Sequence, residues 1–159
     1  MTTILGIDPG THRLGWGVVS GSPSKQSFIA SGCIENKPGT TPDIYLPKIH
    51  QEISSIIAEY NPDLIGLESL LFQKNVKTAI PVAEARGVIR LIAGSHNLSV
   101  IESAPNTIKL SVAGSGSASK FEVIRMVGLL LGIKISQKRD DELDALAVAI
   151  STIVTNKNL

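Results

Sequence analysis

Alternating and clustered apolar positions divide the chain into clear elements. Residues 3–8 (TILGID) form a short β-branched apolar run that ends in an acid, and Pro9-Gly10 stops it with a turn. Residues 14–20 (LGWGVVS) predict a second strand, with glycines that allow a close approach to its backbone. Gly21-Ser22-Pro23-Ser24 is a turn. Residues 26–35 predict a third strand with Phe28, Ala30, Gly32 and Ile34 on one face. Three strands joined by tight turns predict an antiparallel meander.

After the loop KPGTTPD the apolar spacing becomes helical over 44–60, with Leu46, Ile49, Ile53, Ile56 and Ile57 on one side. Asn61-Pro62-Asp63 ends that helix, and 64–67 (LIGL) predict a buried strand ending at Glu68. A strand, a helix and another strand imply a crossover and parallel pairing. A helix rich in small residues follows over 79–95, then a fifth strand over 98–102. A short helix over 105–112, a Gly/Ser loop at 113–117 and helices over 119–131 and 140–155 complete the chain. No repeat or linker interrupts it, so residues 1–159 read as one α/β domain, a mixed five-stranded sheet flanked by helices.

Composition narrows the class. With 43% hydrophobic residues and a net charge of +1, the chain is not mainly disordered. Cys33 has no partner, which excludes a disulfide-stapled scaffold. The apolar runs are too short to cross a membrane, and Asp8 and Arg13 interrupt any apolar leader. A reducing cytosol is the simplest compartment, with no membrane partner. The near-neutral charge gives no general attraction to nucleic acid, so such a partner requires a local basic face.

Four carboxylates stand at informative places. Asp8 ends the first strand, Glu68 ends the fourth, and Asp141 and Asp144 share one face at the start of the last helix. If the first and fourth strands are neighbours, about 4.8 Å apart, Asp8 and Glu68 converge, and the last helix laid across that edge adds the other two. Acids aimed inward among Ile and Leu need cationic compensation. Their sequence neighbours Ile7, Pro9, Leu67 and Ser69 do not supply it. Oxygen ligands without a supporting Cys or His cluster suit Mg²⁺, with Mn²⁺ able to substitute. Two such ions can activate a water and stabilise a leaving oxygen in phosphodiester cleavage. Taken singly, Asp8 before Pro-Gly suits a turn, and acids at a helix start suit its dipole. The joint pattern carries the assignment. His12, His50 and His96 read as surface or capping residues, and Trp16 and Cys33 as core.

The segments GIDPGTHRLGWG, IGLES around Glu68, EARGV at 84–88, IKLSVAGSGSASK at 108–120 and DELDALAVAI at 141–150 resemble, in order and spacing, the RuvC family of Holliday-junction resolvases. The resemblance covers nearly the whole chain. It implies an RNase H-like fold, a homodimer, and Mg²⁺-dependent symmetric nicking of four-way DNA junctions. The family's metal-binding carboxylates fall on Asp8, Glu68, Asp141 and Asp144; the third is not always an acid in the family. Lys109 and Lys120 match basic positions used at the DNA backbone near the cut. Lys120 also opens a helix after a Gly/Ser loop, where free amides and an ammonium suit a phosphate. A branch-migration partner, the RuvA–RuvB complex, is implied as well. One position departs from the pattern. Where the family has an aromatic that probes the junction centre, this chain has Leu71, followed by Phe72. Phe72 either takes over that role by stacking on a base or packs in the core. Lys74, Asn75 and Lys77 either grip flanking phosphates or lie on a solvated loop.

A dimer also follows from the substrate, because a near two-fold junction needs two matched nicks and a C2 dimer supplies two related sites. Ala79, Ala83, Gly87, Ala93 and Gly94 allow close helix approach, either to a second copy or to the sheet. Three other functions compete. GIDPGT also resembles the phosphate loop of actin-like and sugar-kinase ATPases, which need two such lobes and leave Asp141 and Asp144 unexplained. A RuvC-like ribosomal-RNA processing nuclease shares the first motif, but not the matches at 84–88 and 108–120. A catalytically inactive junction-binding module would not keep all four acids.

Overall fold

The computed structural model describes residues 1–10, 12–69 and 76–156, with the side chains of the helix that opens at Val76 described from residue 79 onward. Strands β1 (Thr2–Pro9), β2 (Arg13–Ser22) and β3 (Lys25–Glu35) form the predicted meander. Helix α1 (Pro42–Tyr60) crosses over to β4 (Leu64–Glu68), and α2 (Val76–Ser95) crosses over to β5 (Ser99–Ser103). Both β4 and β5 join in parallel, which gives the sheet order β3-β2-β1-β4-β5. Helices α3 (Pro105–Ala113), α4 (Lys120–Leu131) and α5 (Asp140–Thr155) follow, with a short 3₁₀ turn at Ile135–Gln137. No helix among the described residues is long and apolar enough to cross a membrane.

Period-two alternation sorts the strand residues onto two cores. Leu5, Ile7, Val18, Ile65 and Leu67 face α1 and α2, against Ile49, Ile53, Ile57, Ile89 and Ile92. Ile4, Val19 and Leu64 face the other way, against Leu146, Ile150 and Ile153 of α5 and Val123 and Val127 of α4. Each buried aliphatic side chain contributes roughly 1.5–3 kcal/mol.

The α5 side of the sheet is floored with glycine. A Cβ on Gly6 would collide with the Ala145 carbonyl and the backbone of Ala149, and one on Gly15 with the Asp141 carbonyl. One on Gly66 would collide with the Thr152 hydroxyl. With no strand side chain in between, α5 lies directly on β1, β2 and β4, and its first turns come down beside the strand ends.

One expectation is corrected. Phe28 does not share a face with Ile34: Val18 pairs with Ala30 but Val19 pairs with Phe28, so Ile29 has no partner on β2. That bulge flips the alternation. Phe28 packs toward α4 and α5, whereas Ile34 packs in the core under α1.

Candidate active site

Asp8 and Glu68 owe their places to strand parity and register. In β1, Ile4, Gly6 and Asp8 share the α5 face, as do Leu64, Gly66 and Glu68 in β4. The parallel pairing runs from Ile4 with Leu64 to Ile7 with Leu67, so the two acids follow at the same level on adjacent strands. Across β1 on the other side, Asp8 pairs with Gly15, the residue against which the Asp141 backbone rests. One helical turn further along α5 stands Asp144. The adjacency inferred from sequence is therefore present.

Three of the carboxylates, Asp8, Glu68 and Asp144, are disturbed by burial and by neighbouring acids. Burial pushes the Asp8 carboxyl from its ordinary 3.8 up to about 7, and the charges of Asp144, Glu68 and Asp141 add to it in that order, with Lys120 opposing. Glu68 is also raised, first by burial and then by Asp144, while Arg86, Lys109 and Lys120 pull the other way. Burial raises Asp144 as well, against the hydrogen bond it accepts from Lys120.

That bond comes from a distant part of the chain. No cation neighbours the acids in sequence, yet the fold brings one in from 24 residues away: Lys120 Nζ donates to Asp144 Oδ2 at 2.8 Å and lies 3.8 Å from Asp140. Lys120 is the first residue of α4, and a reciprocal cap fixes that helix start. The Ser119 hydroxyl accepts from the Glu122 amide at 3.3 Å, and the Glu122 carboxylate accepts from the Ser119 amide at 2.7 Å. Lys120, Lys109, Glu68 and Asp144 line one cleft of about 220 Å³, so both predicted lysines reach the acidic hollow.

Asp141 looks elsewhere. It lines a wider groove of about 940 Å³ with Gly10, His12, Arg13, Lys37 and Lys48. Arg13 lies 3.8 Å from its carboxylate and 3.5 Å from Glu35, and Arg139 pairs with Glu35 too. Sequence reasoning missed this network. Its only sequence signal is charge of both signs at the mouths of β2 and β3 and just before α5. Glu142 ties the same helix start to β3, accepting from the Ser31 hydroxyl at 2.6 Å.

Among the described residues, no three acids, histidines or cysteines already stand close enough to grip an ion together. The donor chemistry nonetheless fits a hard divalent cation. The ligands available are carboxylate oxygens, and the raised Asp8, Glu68 and Asp144 mark a hollow with less positive charge than its acids require. His12, His50 and His96 are exposed, as expected, and Trp16 and Cys33 are half-buried. Leu71, Phe72, Lys74 and Asn75 lie outside the described residues, and so does the side chain of Lys77, so the junction-probing expectation falls there too.

An antiparallel meander extended by two parallel strands, with acids at the ends of the first and fourth strands and on a helix packed across them, defines an RNase H-like nuclease. The family whose description is crossover junction endodeoxyribonuclease RuvC matches residues 4–152. A crossover junction endodeoxyribonuclease RuvC from Caldicellulosiruptor saccharolyticus is 41% identical over 157 residues, which is 98% of this chain and 95% of the relative. The chain therefore belongs to the RuvC family. Among solved structures, T. thermophilus RuvC in complex with Holliday junction substrate superposes with a TM-score of 0.89 at 28% identity, over 95% of this chain and 92% of that one. The yeast mitochondrial Holliday junction resolvase Ydc2 shares the fold at a TM-score of 0.70 and 14% identity, over 95% of this chain and 77% of that one.

Proposed function

We propose that this chain, acting as one nuclease domain, resolves four-way DNA (Holliday) junctions by paired symmetric nicks in recombination and repair. The observation that carries the reading is the half-buried cluster of Asp8, Glu68 and Asp144 with Lys120 set against it. Asp8, Glu68 and Asp144 would hold two Mg²⁺ ions, with Asp141 completing the set from the neighbouring groove. When bound, such ions supply activation of a water and stabilisation of a departing oxygen. Lys120 places its ammonium where a scissile phosphate would meet the acids, and Lys109 contacts the backbone beside it. Family resemblance extends the DNA surface to Phe72, Lys74, Asn75 and Lys77.

The dimer is supported by the outer face of α2. Ala85 and Ala93 turn inward, but Ile80 and Leu91 are 58% and 64% exposed. Gly87 lies between them and Gly94 just beyond Leu91, and both open onto empty space. An apolar seam with two gaps in it suits a second copy of the same helix. The RuvA–RuvB complex is the proposed branch-migration partner, and the cytoplasm the proposed compartment.

The reading is tested by single-turnover assays with and without Mg²⁺ on a four-way junction, a linear duplex and a structured RNA. Paired nicks placed symmetrically on the junction alone are the expected result. Cleavage of the RNA in preference to the junction would instead favour a ribosomal-RNA processing nuclease.

A further inference from the structure

Arg86 is a buried charge with no part in the roles assigned above. It is only 7% exposed and lies on the inward stripe of α2, beside Ala85 and Ile89. A guanidinium in such a place must find acceptors for its donors. Arg86 finds two. Nη1 donates to the backbone carbonyl of Glu68, and Nη2 donates to the Glu102 carboxylate on β5. The same Glu102 oxygen accepts from Arg90 Nη2 at 2.7 Å, so the anchor is itself held.

The position of this clamp is informative. The pairing of β4 with β1 ends at Leu67, and the pairing with β5 ends at Glu68. The amide of Ser69 still reaches the Ser103 carbonyl, at 2.9 Å. The Glu68 carbonyl thus sits where the ladder toward β1 has stopped, and Arg86 supplies its donor. The side chain of Glu68 faces α5, while Arg86 comes from the α2 side. One residue is held from behind through its backbone and works in front through its carboxylate.

We propose that Arg86 is a positioning residue for Glu68, anchored by Glu102, which fixes the end of β4 so that the Glu68 carboxylate is presented to the acidic hollow. The proposal rests on the reading of that hollow as a divalent-cation site. It gives a mechanical reason for a fork-shaped cation at 86, because only a guanidinium spans a strand-end carbonyl and a carboxylate on the next strand at once.

The test is calorimetric titration of Mn²⁺ into the full chain and its Arg86→Lys, Glu102→Gln and Glu68→Gln variants, with circular dichroism to confirm folding. Junction affinity is measured in parallel in chelator. Outer groups that orient ligands typically change metal affinity about 10–100-fold. Arg86→Lys should therefore weaken Mn²⁺ binding about tenfold, and Glu102→Gln should weaken it in the same direction. Junction affinity in chelator should stay within about twofold of the parent, because no DNA contact is removed. Weakened Mn²⁺ binding in Glu68→Gln beside parental binding in both clamp variants would overturn the clamp and leave the site standing. Parental binding in Glu68→Gln would overturn the site, and the clamp with it. If Arg86→Lys fails to fold, Glu102→Gln decides alone, and parental Mn²⁺ affinity there overturns the proposal.

Discussion

Lys120, which opens α4, and Asp144, in the second turn of α5, meet with Nζ 2.8 Å from Oδ2 and so place one ammonium against a hollow that holds several acids. The contact raises the Lys120 ammonium above its ordinary value, chiefly through that hydrogen bond, and lowers the cost of the buried Asp144. In the proposed site, Lys120 is then a positive charge beside Asp144, where negative charge would develop during phosphodiester cleavage.

Lys120→Ala should therefore damage cleavage more than binding. A cation that stabilises charge in the transition state is worth roughly 10²–10³ in rate when removed. One phosphate contact among many costs junction affinity only a few-fold. Equal losses in gel-shift affinity and in single-turnover rate would argue against this placement.

Asp144→Asn keeps the size of the side chain and removes its charge. Folding should survive, Mg²⁺-dependent nicking should fall by orders of magnitude, and junction binding in chelator should persist or tighten as one repulsive charge is lost. Asp8→Asn and Glu68→Gln should behave alike. Asp141→Asn should be milder, since Asp141 weighs least of the three acids on Asp8 and faces the neighbouring groove. Nicking at the parental rate by Asp144→Asn would remove α5 from the site.

The Asp8 carboxyl, pushed up to about 7, binds its proton more tightly in the folded than in the unfolded chain. That contribution is present below the ordinary carboxylate range and is lost as pH rises toward about 7. Without divalent ions, Tm should fall between about pH 5 and pH 8, and Asp8→Asn should flatten the slope. Mg²⁺ should raise Tm more at the upper pH, where the acids are ionised. A slope unchanged in Asp8→Asn, measured by scanning fluorimetry, would contradict the assignment.

Gly15→Ala would drive a methyl group into the Asp141 carbonyl. The first turn of α5 must lift, at a cost of roughly 1–3 kcal/mol typical of overpacking. Asp141 rides on that turn and Asp144 stands one turn further along the same helix, so nicking at saturating DNA should fall further than the Tm shift alone explains. A variant with lowered Tm and parental nicking would show that the helix start tolerates displacement.

The fold was legible because its signals are local and agree with one another. Pro9-Gly10 and Pro23-Ser24 punctuate the meander, and the change from strand to helical spacing from residue 44 marks the crossover. Strand-end acids beside glycine and a helix-borne acid pair pointed to the site itself. What stayed hidden was pairing across the fold. The bulge at Ile29 leaves no mark in an alternating strand. Lys120 against Asp144, and Arg13 and Arg139 against Glu35, depend on which helix start meets which strand mouth. Arg86 did carry a signal, a lone arginine on the apolar stripe of Ala85, Ile89 and Ile92, though its acceptors lie on two different strands.

The glycine floor beneath α5 also bears on biosynthesis. A ribosome that has emitted the chain as far as Arg139 has released Asp8 and Glu68, but neither Asp141 nor Asp144. At that stage the floor is bare, and Lys120 has no Asp144 to meet. The helix that covers the glycines brings the remaining acids with it, so a nascent polypeptide lacks two of the four proposed metal ligands until α5 docks.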